Sequence, residues 1–124
     1  MGRGIALEAA QKFSKLPREL GQALSGGCTS PLQWDQYKII TFPTKVSWRD
    51  KYSSLEMIES GVLNLIETYY LPSDFDPCDK DYPTQLFLPR LGCGNGHLSW
   101  EKQVKPLLEQ VIPDHLKSYM IFCY

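Results

Sequence analysis

The feature that most constrains the fold is a glycine loop between a short apolar run and a helical pattern. Three glycines alternate with other residues shortly after the apolar run Gln85–Leu88: Gly92, Gly94 and Gly96. Ser99 follows, where it can cap the next helix. Glycine accepts positive φ angles and close backbone approach, so successive N–H groups can converge on an anion beside a helix start. The order strand, loop, helix predicts a phosphate-binding loop, with an ordinary glycine-rich turn as the alternative.

A second group of glycines lies at the beginning of the chain. Gly2 and Gly4 lead directly into a strong helix-forming run that starts at Ile5. This run predicts a helix over Gly4–Lys15. Two glycine loops are therefore each expected to precede the N-terminus of a helix.

The composition excludes several classes of protein. The 124 residues carry a net charge of −1, so we expect one domain over residues 1–124 without the basic surface of a generic nucleic-acid binder. Apolar runs stay far below the ~20 residues of a membrane span, and no secretory signal is recognisable, which predicts a cytoplasmic protein without membrane contacts. Four cysteines and two histidines without a C-x-x-C pair predict no metal site, and no pattern calls for a cofactor.

Hydrophobic periodicity predicts helices that alternate with strands. Ser53 and Glu56 have the spacing of a capping box and open one long helix. The predicted strands are Tyr37–Phe42, Gln85–Leu88 and Tyr119–Cys123. The other predicted helices are Gly4–Lys15, Pro17–Leu24 and one that runs from Ser99 to about Ile112. This order is typical of an α/β fold in three layers, with a mostly parallel or mixed sheet, flanking helices and ligands at the carboxyl ends of the strands.

At these residues the chain resembles the macrodomains, α/β modules that bind ADP-ribose and in several branches hydrolyse it from proteins or nucleic acids. Gly2-x-Gly4-Ile5 is similar to the first phosphate-proximal loop of that family. The stretch 89–96, Pro-Arg-Leu-Gly-Cys-Gly-Asn-Gly, is similar to its second loop. The resemblance implies that both loops contact ADP-ribose or an ADP-ribosylated macromolecule, without a bound cofactor or metal.

The stretch 42–49, Phe-Pro-Thr-Lys-x-x-Trp-Arg, resembles the branch in which a lysine attacks the distal ribose. That branch includes antitoxin-type hydrolases that remove ADP-ribose from DNA bases. The resemblance implies that Lys45 is the nucleophile and that Arg49 favours its deprotonated form. Trp48 would cover the ribose or a base. The alternatives are a solvated Lys45 and a Trp48 that closes the core.

Three further loop residues complete the candidate binding site, and each has a structural alternative. Cys93 lies between glycines, where it is either a ligand contact or a small residue packed beneath the loop. Asn95 either offers its amide to a ribose or phosphate or simply tolerates a turn conformation. His97 is a candidate general base, or else a capping or solvated histidine. Gly96 stands where a lysine-dependent subgroup carries an aspartate, which favours the glycine-loop, antitoxin-like subgroup.

The resemblance also implies that the N-terminal part of the family's fold is shortened in this chain. Macrodomains begin well before their first glycine loop, with a strand that carries an adenine-reading aspartate and a central strand that ends in asparagines; we expect this chain to lack both. Uncovered strand edges expose unpaired N–H and C=O groups, which either closure of the sheet or elements from a second copy would cover. We expect a homodimer. The expected function is binding of ADP-ribosyl groups, with or without weak hydrolysis. The alternative is an inactive, shortened macrodomain with a structural, oligomerising role.

Overall fold

The computed structural model describes residues 4–26, 30–45, 49–70, 85–94 and 96–123. The chain divides into two compact units, residues 1–43 and residues 44–124. None of the helices in the described part of the chain is both long and apolar enough to cross a membrane. Likewise, no cluster of metal-ligating side chains occurs among these residues.

The first unit contains two helices and a β-hairpin. Its elements are α1 (Gly4–Lys12), α2 (Leu16–Ser25), β1 (Leu32–Trp34) and β2 (Ile39–Thr41). Pro17 lies in the first turn of α2, where its missing N–H costs no helical hydrogen bond. The Tyr37 ring stacks on Phe13 at a centroid distance of 4.6 Å, and the Tyr37 hydroxyl donates to Glu19 at 3.0 Å. These contacts join the hairpin to the helical part of this unit.

The hairpin differs from the sequence prediction of a single strand at Tyr37–Phe42. Strands β1 and β2 pair antiparallel, with Gln33 opposite Ile40. The turn between them closes when Tyr37 N–H donates to the Trp34 carbonyl at 3.1 Å. Lys38 adopts φ 56° in this turn, a conformation that the sequence pattern did not signal because lysine is not a typical left-handed residue.

The second unit contains the strand, loop and helix order that the sequence predicts. Helix α3 (Leu55–Tyr69) is followed by β3 (Leu86–Leu88), a π-helical turn (Trp100–Val104), α4 (Lys105–Val111), a 3-10 turn (Asp114–Leu116) and β4 (Met120–Phe122). Strands β3 and β4 pair in parallel, with Phe87 opposite Ile121. The helical segment between them is the crossover that parallel strands need. The described residues contain one antiparallel strand pair, β1 and β2, and one parallel strand pair, β3 and β4. Together with the helices, these elements are compatible with an α/β fold.

The core of this unit lies between the inner faces of α3 and α4 and strands β3 and β4. It is formed by side chains that are at most 5% exposed: Ile58, Val62, Leu65, Ile66, Tyr70, Leu88, Trp100, Val104, Leu108, Ile112, Leu116 and Met120. The buried residues of α3 recur at helical spacing, in agreement with the hydrophobic periodicity that predicts this helix.

Two serines begin the helices of this unit, one as predicted and one displaced by a residue. Ser99 accepts from Lys102 N–H at 3.3 Å, which confirms the predicted cap. Helix α3 is capped by Ser54, which accepts from Met57 N–H at 3.3 Å. The predicted cap at Ser53 is therefore wrong. Ser53 is buried, only 6% exposed, and its hydroxyl donates to Thr44 Oγ1 instead.

Replacing the cap of α3 should lower stability. We expect Ser54→Ala to reduce the free energy of unfolding by about 1 kcal/mol, because the Met57 N–H loses its acceptor. Urea denaturation followed by circular dichroism measures this change. Ser60→Ala is the matched control, since Ser60 lies on the exposed face of the same helix. Equal stability of the Ser54 variant and wild type would contradict the assignment of the cap.

Candidate functional site

The glycine loop is closed by its own backbone hydrogen bonds. Leu98 N–H donates to the Gly92 carbonyl at 3.0 Å, and His97 N–H donates to the Gly94 carbonyl at 3.2 Å. Gly92 and His97 have left-handed φ angles of 73° and 59°. Glycine adopts this region freely, and histidine is among the residues enriched there. The loop is thus a closed turn between β3 and the helical segment that Ser99 caps.

Gly92 and Gly96 are required by packing. A Cβ atom at Gly92 would lie 2.9 Å from Ser53 Cβ and 3.1 Å from Ile58 Cδ1. A Cβ atom at Gly96 would overlap the Ser53 Oγ and the Gly92 carbonyl oxygen. The side chain of Ser53 therefore occupies the space beside both glycines, and neither position accepts a side chain without a shift of the loop.

Gly94 has a different environment. It is exposed, and a Cβ atom placed there would have no other atom within 4 Å. Among the described residues, none accepts a hydrogen bond from the N–H groups of Gly94 and Gly96. Neither packing nor a positive φ angle therefore requires a glycine at position 94.

Cys93 lies between these glycines and is held as a thiol. Its Sγ donates to the Leu91 carbonyl at 3.4 Å. Burial raises the pKa of the Cys93 thiol, and the Arg90 guanidinium opposes this shift without cancelling it. The neutral thiol is a poor nucleophile at neutral pH. The environment of Cys93 is that of a small residue packed into the loop.

The segment that carries Lys45 is fixed to the start of α3. The Thr44 carbonyl accepts from Ser54 N–H at 2.7 Å, and Thr44 Oγ1 accepts from the Ser53 hydroxyl at 3.1 Å. Lys45, the next residue, is half-buried, and Arg49 is exposed. The backbone immediately before Lys45 is therefore held by two adjacent serines.

Ser53 joins this segment to the glycine loop. Its N–H donates to the Gly96 carbonyl at 2.9 Å, while its hydroxyl bonds Thr44. This linking role of Ser53 was not predicted from the sequence, where the Ser53-Glu56 spacing indicated a helix cap instead. The available signal was the Ser53-Ser54 pair itself, since only one of two adjacent serines can cap a given helix.

His97 lies exposed at the end of the loop. Its ring meets the Tyr52 ring edge-to-face, with 5.8 Å between centroids and an interplanar angle of 71°. Lys51 Nζ lies 5.4 Å from the centroid of the same Tyr52 ring. Ser99, not His97, caps the helix that follows. His97 is thus a solvent-facing residue beside the loop.

The remaining predicted site residues lie either outside the described part of the chain or in the first unit. Gly2, Trp48 and Asn95 lie outside the described residues. Gly4 and Ile5 belong to α1, in the first unit. Convergence of the two glycine loops on one anion involves both units and stays a prediction.

Comparison with known proteins finds similarity along most of the chain. It is 30% identical over 113 residues to a human protein named ADP-ribose glycohydrolase OARD1, covering 90% of this chain and 66% of that protein. It is 29% identical over 126 residues to proteins named DNA ADP-ribosyl glycohydrolase from Mycobacterium tuberculosis and Mycobacterium bovis. That match covers 92% of this chain and 33% of each mycobacterial protein. No family model matches the chain, and no solved structure matches it.

The three loop glycines should respond differently to alanine. We expect Gly92→Ala and Gly96→Ala to lower the free energy of unfolding by about 1–3 kcal/mol, because each added Cβ collides with packed atoms. Gly94→Ala should stay within about 0.5 kcal/mol of wild type, since its Cβ meets open space. Urea denaturation of the three variants measures these differences. A loss for Gly94→Ala as large as that for Gly96→Ala would contradict the described geometry.

Proposed function

We propose that this chain is a macrodomain-like protein that binds ADP-ribose or an ADP-ribosylated macromolecule, with the pyrophosphate at the glycine loop. The observation that carries the proposal is the contrast among the glycines: Gly92 and Gly96 are explained by packing, and Gly94 is not. The human and mycobacterial relatives support the same ligand class, because their names describe ADP-ribosyl glycohydrolases.

The chemistry of the loop suits a pyrophosphate. The N–H groups of Gly94 and Gly96 have no acceptor among the described residues. Gly96 is buried and Gly94 is exposed, so the Gly94 N–H group is the one available to a phosphate oxygen as a charge-assisted donor. The exposed side chain of Arg90 lies just before the loop and can add a bidentate contact to a phosphate. Main-chain donors need no basic cluster, which agrees with a net charge of −1.

We also propose that Lys45 is the nucleophile of a weak de-ADP-ribosylating hydrolase. Its deprotonated amine would form a C–N bond to the anomeric carbon of the distal ribose while the glycosidic bond breaks and the leaving group takes up a proton. Water would then hydrolyse the adduct, releasing ADP-ribose and restoring the amine. The attachment of Thr44 to Ser53 and Ser54 supports this role, because it fixes the backbone from which Lys45 extends.

A second candidate function is a structural, oligomerising role for an inactive macrodomain-like protein. Phe87 on β3 is 63% exposed, and β4 is the partner of β3 among the described strands. An exposed aromatic side chain beside a short sheet favours association with a second copy. Calorimetric titration separates the two candidates, since the structural role gives no heat with millimolar ADP-ribose.

A larger side chain at Gly94 should weaken ligand binding without unfolding the protein. We expect Gly94→Val to raise the Kd for ADP-ribose by about tenfold or more, because the isopropyl group occupies the approach to the loop amides. Isothermal titration calorimetry measures the affinity. Gly21→Val is the matched control, since Gly21 in α2 is also exposed and open. Wild-type affinity in the Gly94 variant would rule out the loop as the pyrophosphate site.

Removal of the Lys45 amine should separate binding from hydrolysis. We expect Lys45→Ala to release ADP-ribose from ADP-ribosylated DNA or protein more than about a hundredfold more slowly than wild type, while it still binds ADP-ribose. Chromatographic detection of released ADP-ribose measures the rate. Lys51→Ala, at an exposed lysine nearby in the sequence, is the control. An unchanged rate for the Lys45 variant would eliminate the lysine mechanism.

A further inference from the structure

We infer that Ser53 is a positioning residue that holds the glycine loop and the Lys45 segment in their ligand-binding arrangement. The inference rests on the proposed function for its ligand and on the geometry of Ser53 for its mechanism. Ser53 is 6% exposed, so its contacts are made inside the protein. Its neighbour Ser54 is only partly buried and caps α3.

Two hydrogen bonds connect Ser53 to the two parts of the candidate site. Its backbone N–H reaches the Gly96 carbonyl at 2.9 Å. Its hydroxyl reaches Thr44 Oγ1 at 3.1 Å. One residue thus fixes the loop and the residue before Lys45 at the same time.

The size of the Ser53 side chain matters as much as its hydroxyl. A Cβ atom at Gly92 would collide with the Ser53 Cβ, and a Cβ atom at Gly96 would collide with the Ser53 Oγ. The loop is therefore wrapped closely around this side chain. Alanine at position 53 would remove the Oγ from between the loop and Thr44, and threonine would add a methyl group to a filled space.

The packing of Ser53 against the loop should increase ligand affinity by preorganising the loop. A loop that already presents its N–H groups in the bound arrangement pays less conformational entropy when a ligand binds. If Ser53 is shortened, the loop samples other arrangements and the same amides bind the pyrophosphate more weakly. The effect reaches the ligand through Gly96 and Thr44, so Ser53 itself needs no ligand contact.

The adjacent serine provides a matched control. Ser53→Ala and Ser54→Ala remove the same hydroxyl group from neighbouring residues, but only Ser53 touches the loop. We expect both variants to lower thermal stability. Ser53→Ala should raise the Kd for ADP-ribose by about tenfold, whereas Ser54→Ala should change it less than about twofold.

Hydrogen exchange tests whether Ser53 positions the loop, and it needs no ligand. The Leu98 amide, which closes the loop on the Gly92 carbonyl, should exchange faster in Ser53→Ala than in Ser54→Ala, measured by NMR under conditions where both are folded. Thr44→Val provides a second route, because it removes the acceptor of the Ser53 hydroxyl and leaves the loop contacts in place. Its effect on affinity should be less than additive with Ser53→Ala.

The outcomes separate this inference from the proposed function. Equal Leu98 exchange and equal affinity in the two serine variants would overturn the positioning role. An effect on affinity that merely follows the loss of stability in both variants would also overturn it. If the wild-type protein gives no heat with ADP-ribose and Leu98 exchanges faster in Ser53→Ala only, the proposed ligand is wrong. The role of Ser53 in positioning the loop would still hold.

Discussion

The arrangement of the second unit depends on one packing constraint, the insertion of the Ser53 side chain against Gly92 and Gly96. A loop that carries Cβ atoms at these positions cannot close on α3, because the space is already filled. Closure brings the Gly96 carbonyl to the Ser53 N–H at 2.9 Å. It also allows the Leu98 N–H to reach the Gly92 carbonyl. The conformation of the loop is therefore determined by the start of a core helix and not by the loop sequence alone.

This constraint separates two glycines that packing requires from a third that packing does not require. Gly92 is explained by its φ of 73° and by its contact with Ser53, and Gly96 by the absence of room for a Cβ. The same reasoning leaves Gly94 without a structural cause, since it is exposed and open. A glycine increases the conformational entropy of the unfolded chain, so its presence there costs stability. Under the proposed function, close approach of a ligand to the backbone offsets this cost.

The sequence predicted the helices of both units and missed the first strand of the hairpin. Helix α3 and the Ser99 cap follow from local patterns of apolar spacing and capping, which act within a few residues. The loop was also predictable, because its glycines interrupt a strand and helix pattern. The role of Ser53 was not, since its partners Thr44 and Gly96 are distant in sequence and become neighbours only through folding. In the first unit, the hairpin depends on a left-handed Lys38 that no local rule favours.

Binding and catalysis place different demands on this site. The proposed pyrophosphate contacts use backbone N–H groups of the loop, whose positions depend on packing around Ser53. Attack on the ribose instead requires the end of the flexible Lys45 side chain to reach one carbon atom, which costs side-chain entropy. The structure fixes the backbone before Lys45 through Thr44, which reduces this cost. Under the proposed function, changes around Lys45 that abolish turnover should therefore leave ligand affinity intact, because the two steps use different groups of the chain.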